Sequence, residues 1–391
     1  MKDISSLRVQ LAVFSLLFAA GMWMSKVAQP LYFDGHGAMI AFGAGYAVMA
    51  VIGGLSFAWG YLADRMGGLN AVRLGGVVYA IGISGRVFTD LVPAIIFSAV
   101  AGAGASLALV GVRPWVRSRA TDEEIPKIVA SRSLGNQSGV FVGTLGAALI
   151  FAIAGQAEDG QRSALLVAPV LVLAGIVWIT FAGRSSKYAV APRNTNEGQA
   201  SPDTRGLSVK LAVLGCLSGF YVSLVAPYAP VILSDAGLTD AGAAVAISVM
   251  SLAQIGSTAV LTKVGTSPRP FRLFIFSETA TALLTLLAAG LLQLPGLVVA
   301  AIFVARSAFL ALAATAEETI QYAVIPAAAV GFVFGIAQTA FLVGDAAGGA
   351  LGAVLWHSTG PWGLLITAGA VTLANAILFP VLLGGKKPIP A

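Results

Sequence analysis

Five ionisable residues, Lys26, Arg86, Glu278, Arg306 and Asp345, stand inside stretches that are otherwise apolar. A charge at the centre of a membrane helix costs about 2.5–3.5 kcal/mol on insertion scales, so such groups face a partner or a polar cavity and mark routes for protons and solutes. Lys26 shares one helical face with Ser15, Met22 and Gln29. A rise of about 1.5 Å per residue puts Lys26 and Asp345 at similar depths. Two readings follow: the two charges pair or share a proton or solute, or each is satisfied locally, Lys26 by snorkelling. Glu278 and Arg306 fall at a common mid-depth and predict a buried ion pair, with proton carriage by Glu278 and anion contact by Arg306 as the alternatives. Arg86 precedes Asp90 by four residues, the spacing of a local helical pair. Asn136, Gln137, Tyr221, Tyr228, Gln254 and Gln338 are neutral candidates for a polar pathway, or for hydrogen bonds between helices.

Other chemistries find little footing. His36 and His357 stand apart without clustered cysteine or histidine ligands, so no metal site is expected. Cys216 is the only cysteine, which excludes an intrachain disulfide. No phosphate-binding G-x4-G-K-[ST] loop is present. No cofactor and no enzymatic activity are expected.

The elements that must position these residues follow from composition. Of 391 residues, 58% are hydrophobic and 10% charged, against about 25% charged in a soluble domain. Such a chain cannot cover a water-facing globule and suits an outer surface in contact with lipid. The 46 glycines agree, since small residues let membrane helices approach closely. A span takes about 20 mostly apolar residues, and that template predicts an all-α membrane protein of twelve spans: 9–31, 37–59, 71–89, 91–112, 126–154, 162–182, 208–232, 238–262, 271–292, 295–316, 326–355 and 362–383. An N-terminus inside places every Lys and Arg in cytoplasmic segments or near the cytoplasmic ends of spans except Arg162, at the external loop before span six, and Lys26, Arg86 and Arg306, deeper within spans. That asymmetry predicts both termini in the cytoplasm, and it accounts for the net charge of +6 without a nucleic-acid partner.

The polar stretch 183–207 reads as a cytoplasmic linker between two halves, 1–182 and 208–391. The halves repeat. Leu7, Val9, Leu11, Ala12, Val13 and Pro30 recur 200 residues later as Leu207, Val209, Leu211, Ala212, Val213 and Pro230. Gly135 is matched by Gly335, and Val142-Gly143 by Val343-Gly344. Parallel six-span repeats predict a pseudo-two-fold axis along the membrane normal with a solute site between them.

Between spans two and three runs Gly60-Tyr61-Leu62-Ala63-Asp64-Arg65-Met66-Gly67. This segment resembles the G-x-x-x-D-R-x-G signature of the major facilitator superfamily. The resemblance implies that family's fold, two pseudo-symmetric six-helix bundles, and a cytoplasmic gate formed by Gly60, Asp64, Arg65 and Gly67. It would set Asp64 toward Pro326 and Arg65 toward Asp122, Glu123 or Glu124. Spans one and ten would line the cavity, and span nine would be peripheral, which favours a structural role for Glu278. Gly135-x3-Gly139-x3-Gly143 is similar to the exporter pattern of span five, with Val140 at its proline position. Pro227-Tyr228-Ala229-Pro230 is similar to a paired-proline motif of drug exporters, here in span seven rather than span one. Ser98 stands where the family carries an arginine, and Lys263-Val264-Gly265 is all that remains of a second signature loop.

Together these features predict secondary active transport of a small organic solute by alternating access, as a monomer in a prokaryotic-type inner membrane, in contact with lipid and with a proton or other coupling ion. Proton-coupled export leads. Uptake or exchange of an anionic metabolite, and a receptor or lipid-handling protein that does not pump, are the alternatives.

Overall fold

A computed structural model describes residues 2–117, 119–120, 125–154, 157–182, 202–264, 270–325 and 330–384. Among these the regular structure is entirely helical. Lipid leaves only that solution for open-ended segments, because every backbone N–H and C=O must be satisfied within its own span. The chain divides into two compact units, Met1–Asn194 with Asp240–Ser248, and Thr195–Thr239 with Val249–Ala391. Residues 183–201 of the expected linker lie outside the described residues.

The first unit holds α1 (Lys2–Gly35), α2 (Met39–Gly54), α3 (Ser56–Met66), α4 (Gly68–Ser84), a 3-10 turn at Gly85–Val87, α5 (Leu91–Arg117), α6 (Ile125–Ile153) and α7 (Ala157–Ala182). Helix α1 packs against α6 and α7, and α5 against α2 and α4. The second unit holds α8 (Pro202–Val225), α9 (Ala229–Asp235), most of α10 (Asp240–Val264), α11 (Pro270–Gly290), α12 (Gly296–Val324) and α13 (Val330–Leu383). Here α13 packs along α8, and α11 lies against both α12 and α13. The start of α10 groups with the first unit, where Gln161 Nε2 donates to Asp240 Oδ2 at 2.7 Å and Ser248 Oγ to Thr144 Oγ1 at 2.7 Å.

Among the described residues nine helices are long and apolar enough to cross a membrane, or ten if α2 and α3 count as one bent span. The shortfall from twelve has identifiable sources. Helix α4, at 17 residues, is short. The apolar run Gly335–Leu383 has 49 residues, about 70 Å of helix against a hydrocarbon core of about 30 Å. Gly360 (φ 64°) breaks that run between the expected eleventh and twelfth spans.

The repeat is visible in local geometry. After α1, Gly37 N–H donates to Asp34 O and Ala38 N–H to Phe33 O; after α9, Gly237 N–H donates to Ser234 O and Leu238 N–H to Leu233 O. Both glycines take positive φ, 65° and 93°, and the pattern closes the last carbonyls of each helix. The close helix crossings repeat as well. A Cβ at Gly135, Gly139 or Gly143 on α6 would strike the carbonyls of Ala12, Leu16 or Ala20 on α1, and one at Gly344 or Gly348 on α13 would strike those of Cys216 or Phe220 on α8. The structure corrects the register: Leu16 and Ala20 answer to Cys216 and Phe220 at an offset of 200, but Gly139 and Gly143 answer to Gly344 and Gly348 at 205. Gly335, expected to match Gly135, makes no close approach.

A second correction concerns the signature segment. Gly60 through Met66 is helical, part of α3, which is bent by 57° from α2. Only Gly67 (φ 81°) forms the turn, a left-handed conformation that favours glycine. Trp59, Leu62 and Ala63 pack on Ala71, Leu107 and Val110, so burial of that face sustains the helix.

Candidate functional site

In the second unit a polar cluster sits in the apolar interior, contributed by four helices. Glu278 on α11 is fully buried, and its Oε1 accepts a 2.8 Å hydrogen bond from Asn375 Nδ2 on α13. Arg306 on α12 is also buried, and its Nε donates to Thr285 Oγ1 on α11 at 2.8 Å. Tyr221 on α8 and Glu317 on α12 stand within electrostatic reach of Glu278. Glu317 Oε1 accepts from Gln321 Nε2 one turn further along, at 2.9 Å. Glu278 Oε2 and Arg306 Nη2 are buried without a hydrogen-bond partner.

The expected Glu278–Arg306 contact is thereby refined. The two charges influence each other, but Glu278 accepts from the amide of Asn375 and Arg306 donates to the hydroxyl of Thr285, both neutral groups, and no direct ion pair joins them among the described residues. The cluster thus holds two carboxylates near each other and one guanidinium near Glu278, so with both carboxylates ionised one negative charge would need a proton or cation. Asn375 and Glu317 escaped the sequence reading. An amide within an apolar span was the available signal for the first. Glu317 falls just beyond the expected span 295–316, whereas α12 continues to Val324.

In the first unit the buried charge is Arg86. It does not pair with Asp90, which is exposed. The i,i+4 expectation presumed an unbroken helix, but α4 stops at Ser84 and the 3-10 turn directs the guanidinium inward. Its Nη1 donates to Ser25 Oγ on α1 at 2.7 Å, and its Nη2 lies 3.2 Å from Met49 Sδ on α2. Tyr46 and Tyr79 also stand within electrostatic reach of it.

The remaining candidates are dispersed. Lys26 is half-buried, with Nζ 4.9 Å from the Trp23 ring centroid. Gln29 is buried. Asn136 and Gln137 are exposed on α6, Gln254 on α10 and Gln338 on α13. The Asp345 carboxylate accepts a hydrogen bond from Ser223 of α8. Tyr228 is buried, donates to Gly349 O at 2.7 Å and stacks on Trp356. Asp64 and Arg65 are exposed, and the Arg65 guanidinium lies 5.0 Å from the centroid of the Tyr61 ring. Their expected partners Asp122, Glu123, Glu124 and Pro326 lie outside the described residues.

The fold has solved counterparts. It superposes on a D-xylose-proton symporter with a TM-score of 0.74 at 16% identity, covering 96% of each chain. The nucleoside transporter NupG matches with a TM-score of 0.74 at 13% identity, covering 96% of this chain and 99% of that one. An auto-inhibited peptide transporter of the POT family matches with a TM-score of 0.76 at 12% identity, covering 98% of this chain and 99% of that one. At these identities the likeness is one of fold. No curated protein sequence matches the chain. The family model described as Major Facilitator Superfamily matches residues 11–315, most of the chain, and with the helices and fold above it makes this multi-pass membrane protein a member of that superfamily.

Proposed function

We propose that the chain is a proton-coupled secondary transporter that exports a small organic solute by alternating access, as a monomer in the inner membrane with both termini in the cytoplasm. The observation that carries the coupling is the cluster around Glu278: two carboxylates, one guanidinium and an unbonded carboxylate oxygen in an apolar interior. In that setting gaining or losing a proton changes the energy of the whole cluster, which is what coupling needs. The export direction follows the likeness of the Gly60–Gly67 segment and the α6 glycine row to exporters. On this reading Lys26, Gln29, Asn136 and Gln137 in the first unit serve the solute route. Tyr221, Tyr228, Gln254, Arg306, Gln338 and Asp345 serve it in the second, and Asp64 and Arg65 belong to the cytoplasmic gate.

The test loads vesicles containing the purified chain with a pH-sensitive dye and offers a panel of solutes. At least one solute is expected to move protons only when the chain is present, with protons and solute travelling in opposite directions. Joint movement in one direction would instead support the second reading, uptake of an anionic solute. Solute flux without any proton movement would remove the coupling.

A further inference from the structure

Among the described residues of the first unit, Arg86 is the one charged side chain that is buried. It is 4% exposed. Among the acidic side chains described in the first unit, Asp34, Asp64, Asp90, Glu158 and Asp159 are exposed and Asp240 is half-buried against Gln161, so no buried carboxylate among them offsets it. A buried cation without a counter-charge is costly by several kcal/mol, and an intramembrane arginine kept at that cost marks a functional site.

The hydrogen bonding around the guanidinium says which function. A guanidinium carries five N–H donors in a fixed planar fork. Nη1, on one side, is held by Ser25 Oγ at 2.7 Å. The opposite edge, Nε with Nη2, is the one that takes both oxygens of a carboxylate in parallel hydrogen bonds. On that edge Nε is buried with no hydrogen-bond partner, and Nη2 meets only the thioether of Met49 at 3.2 Å. A thioether sulfur is a weak acceptor on a flexible side chain. Ser25 therefore fixes the plane of the fork, while its binding edge is covered by the residue most easily moved aside. Gln29, buried on α1 one turn beyond Ser25, adds an amide on the same face.

We infer that Arg86, oriented by Ser25 and covered by Met49, is a binding site for the carboxylate of an organic anion, which enters as Met49 swings away and docks on the Nε–Nη2 edge. This rests on the transport reading and on neither its direction nor its proton coupling. It gives Arg86 a role separate from the expected pair with Asp90. It also specifies the solute class: a small molecule bearing a carboxylate on an apolar body, since Met49, Tyr46 and Tyr79 surround the fork. Complementing the C-terminal carbonyls of α4 is the competing explanation for a cation at this place.

Thermal unfolding of the purified chain distinguishes the two, with benzoate as the probe and benzamide as its neutral counterpart. Benzoate is expected to raise the midpoint in a saturable manner and benzamide to leave it unchanged. Arg86→Gln should abolish the response, and Arg86→Lys, which keeps the charge but lacks the fork, should weaken apparent affinity about tenfold or more. Met49→Glu places a carboxylate at the same edge. It should unfold at a higher temperature than Met49→Gln and should no longer respond to benzoate. No benzoate response in the wild type, or an equal response in Arg86→Gln, would overturn the proposal. So would a Met49→Glu variant less stable than Met49→Gln, a result that remains informative if Arg86→Gln fails to fold. The assay applies no pH gradient, so failure here leaves the dye-loaded vesicle test of coupling untouched.

Discussion

Glu278→Gln is expected to retain solute exchange across vesicle membranes while losing accumulation driven by a pH gradient. Glutamine keeps the size of the side chain and the carbonyl that accepts from Asn375 Nδ2, so the packing of α11 against α13 survives. What disappears is the ability to change charge beside Tyr221, Arg306 and Glu317. One pH unit corresponds to about 1.4 kcal/mol, so one proton exchanged per solute supports about a tenfold concentration ratio. In Glu278→Gln that ratio should fall to one while exchange of labelled for unlabelled solute continues. Accumulation by the variant equal to that of the wild type would remove Glu278 from the coupling path. Loss of exchange and accumulation together, with the protein still folded, would make it a structural or solute-binding residue instead.

The second large effect is on stability. Gly143→Leu on α6 or Gly348→Leu on α13 should cost about 1–3 kcal/mol or more, the range for overpacking a close contact. At both positions the facing atoms are backbone, Ala20 and Phe220 respectively, and cannot rotate away as a side chain would. Gly335→Ala is the matched control. No atom outside its own helix lies within 4 Å of a Cβ built there, and alanine is the better helix former by up to about 1 kcal/mol. Unfolding midpoints in one detergent compare the three. Equal losses at Gly335 and Gly143 would mean that glycine acts here through backbone flexibility and not through helix contact.

These contrasts show which physical information the sequence carries. Apolar stretches are readable because lipid imposes span length, so the all-helical membrane-spanning character is legible, while the count of twelve is matched only in part. The nearness of Glu278 and Arg306 is readable for the same reason, since residue count along a span converts to depth, whereas the place of Tyr221 beside Glu278 is not. Lateral relations were harder to read. Arg86 was assigned to Asp90 by a rule for continuous helices, and the 3-10 turn at Gly85–Val87 reversed the direction of its side chain. The recurring Val-Gly pair matches Gly143 to Gly344, whereas the crossing register depends on which carbonyl of the partner helix each glycine meets. The expected span 295–316 stops short of Glu317 because the charged pair Glu317-Glu318 resembles a span terminus, yet Ile320 and Val324 beyond it are buried in the core and draw the helix onward. The family signature is legible but its shape is not: residues placed between spans two and three form part of α3, and Gly67 makes the turn.

The most direct measurement is the steady-state solute ratio across vesicles holding only this chain, taken over a series of imposed pH differences with the electrical potential clamped at zero. The ratio is predicted to rise about tenfold per pH unit for one-for-one coupling and to collapse when a protonophore is added. A ratio that stays at one for every imposed difference, while solute still equilibrates, would contradict proton-coupled transport.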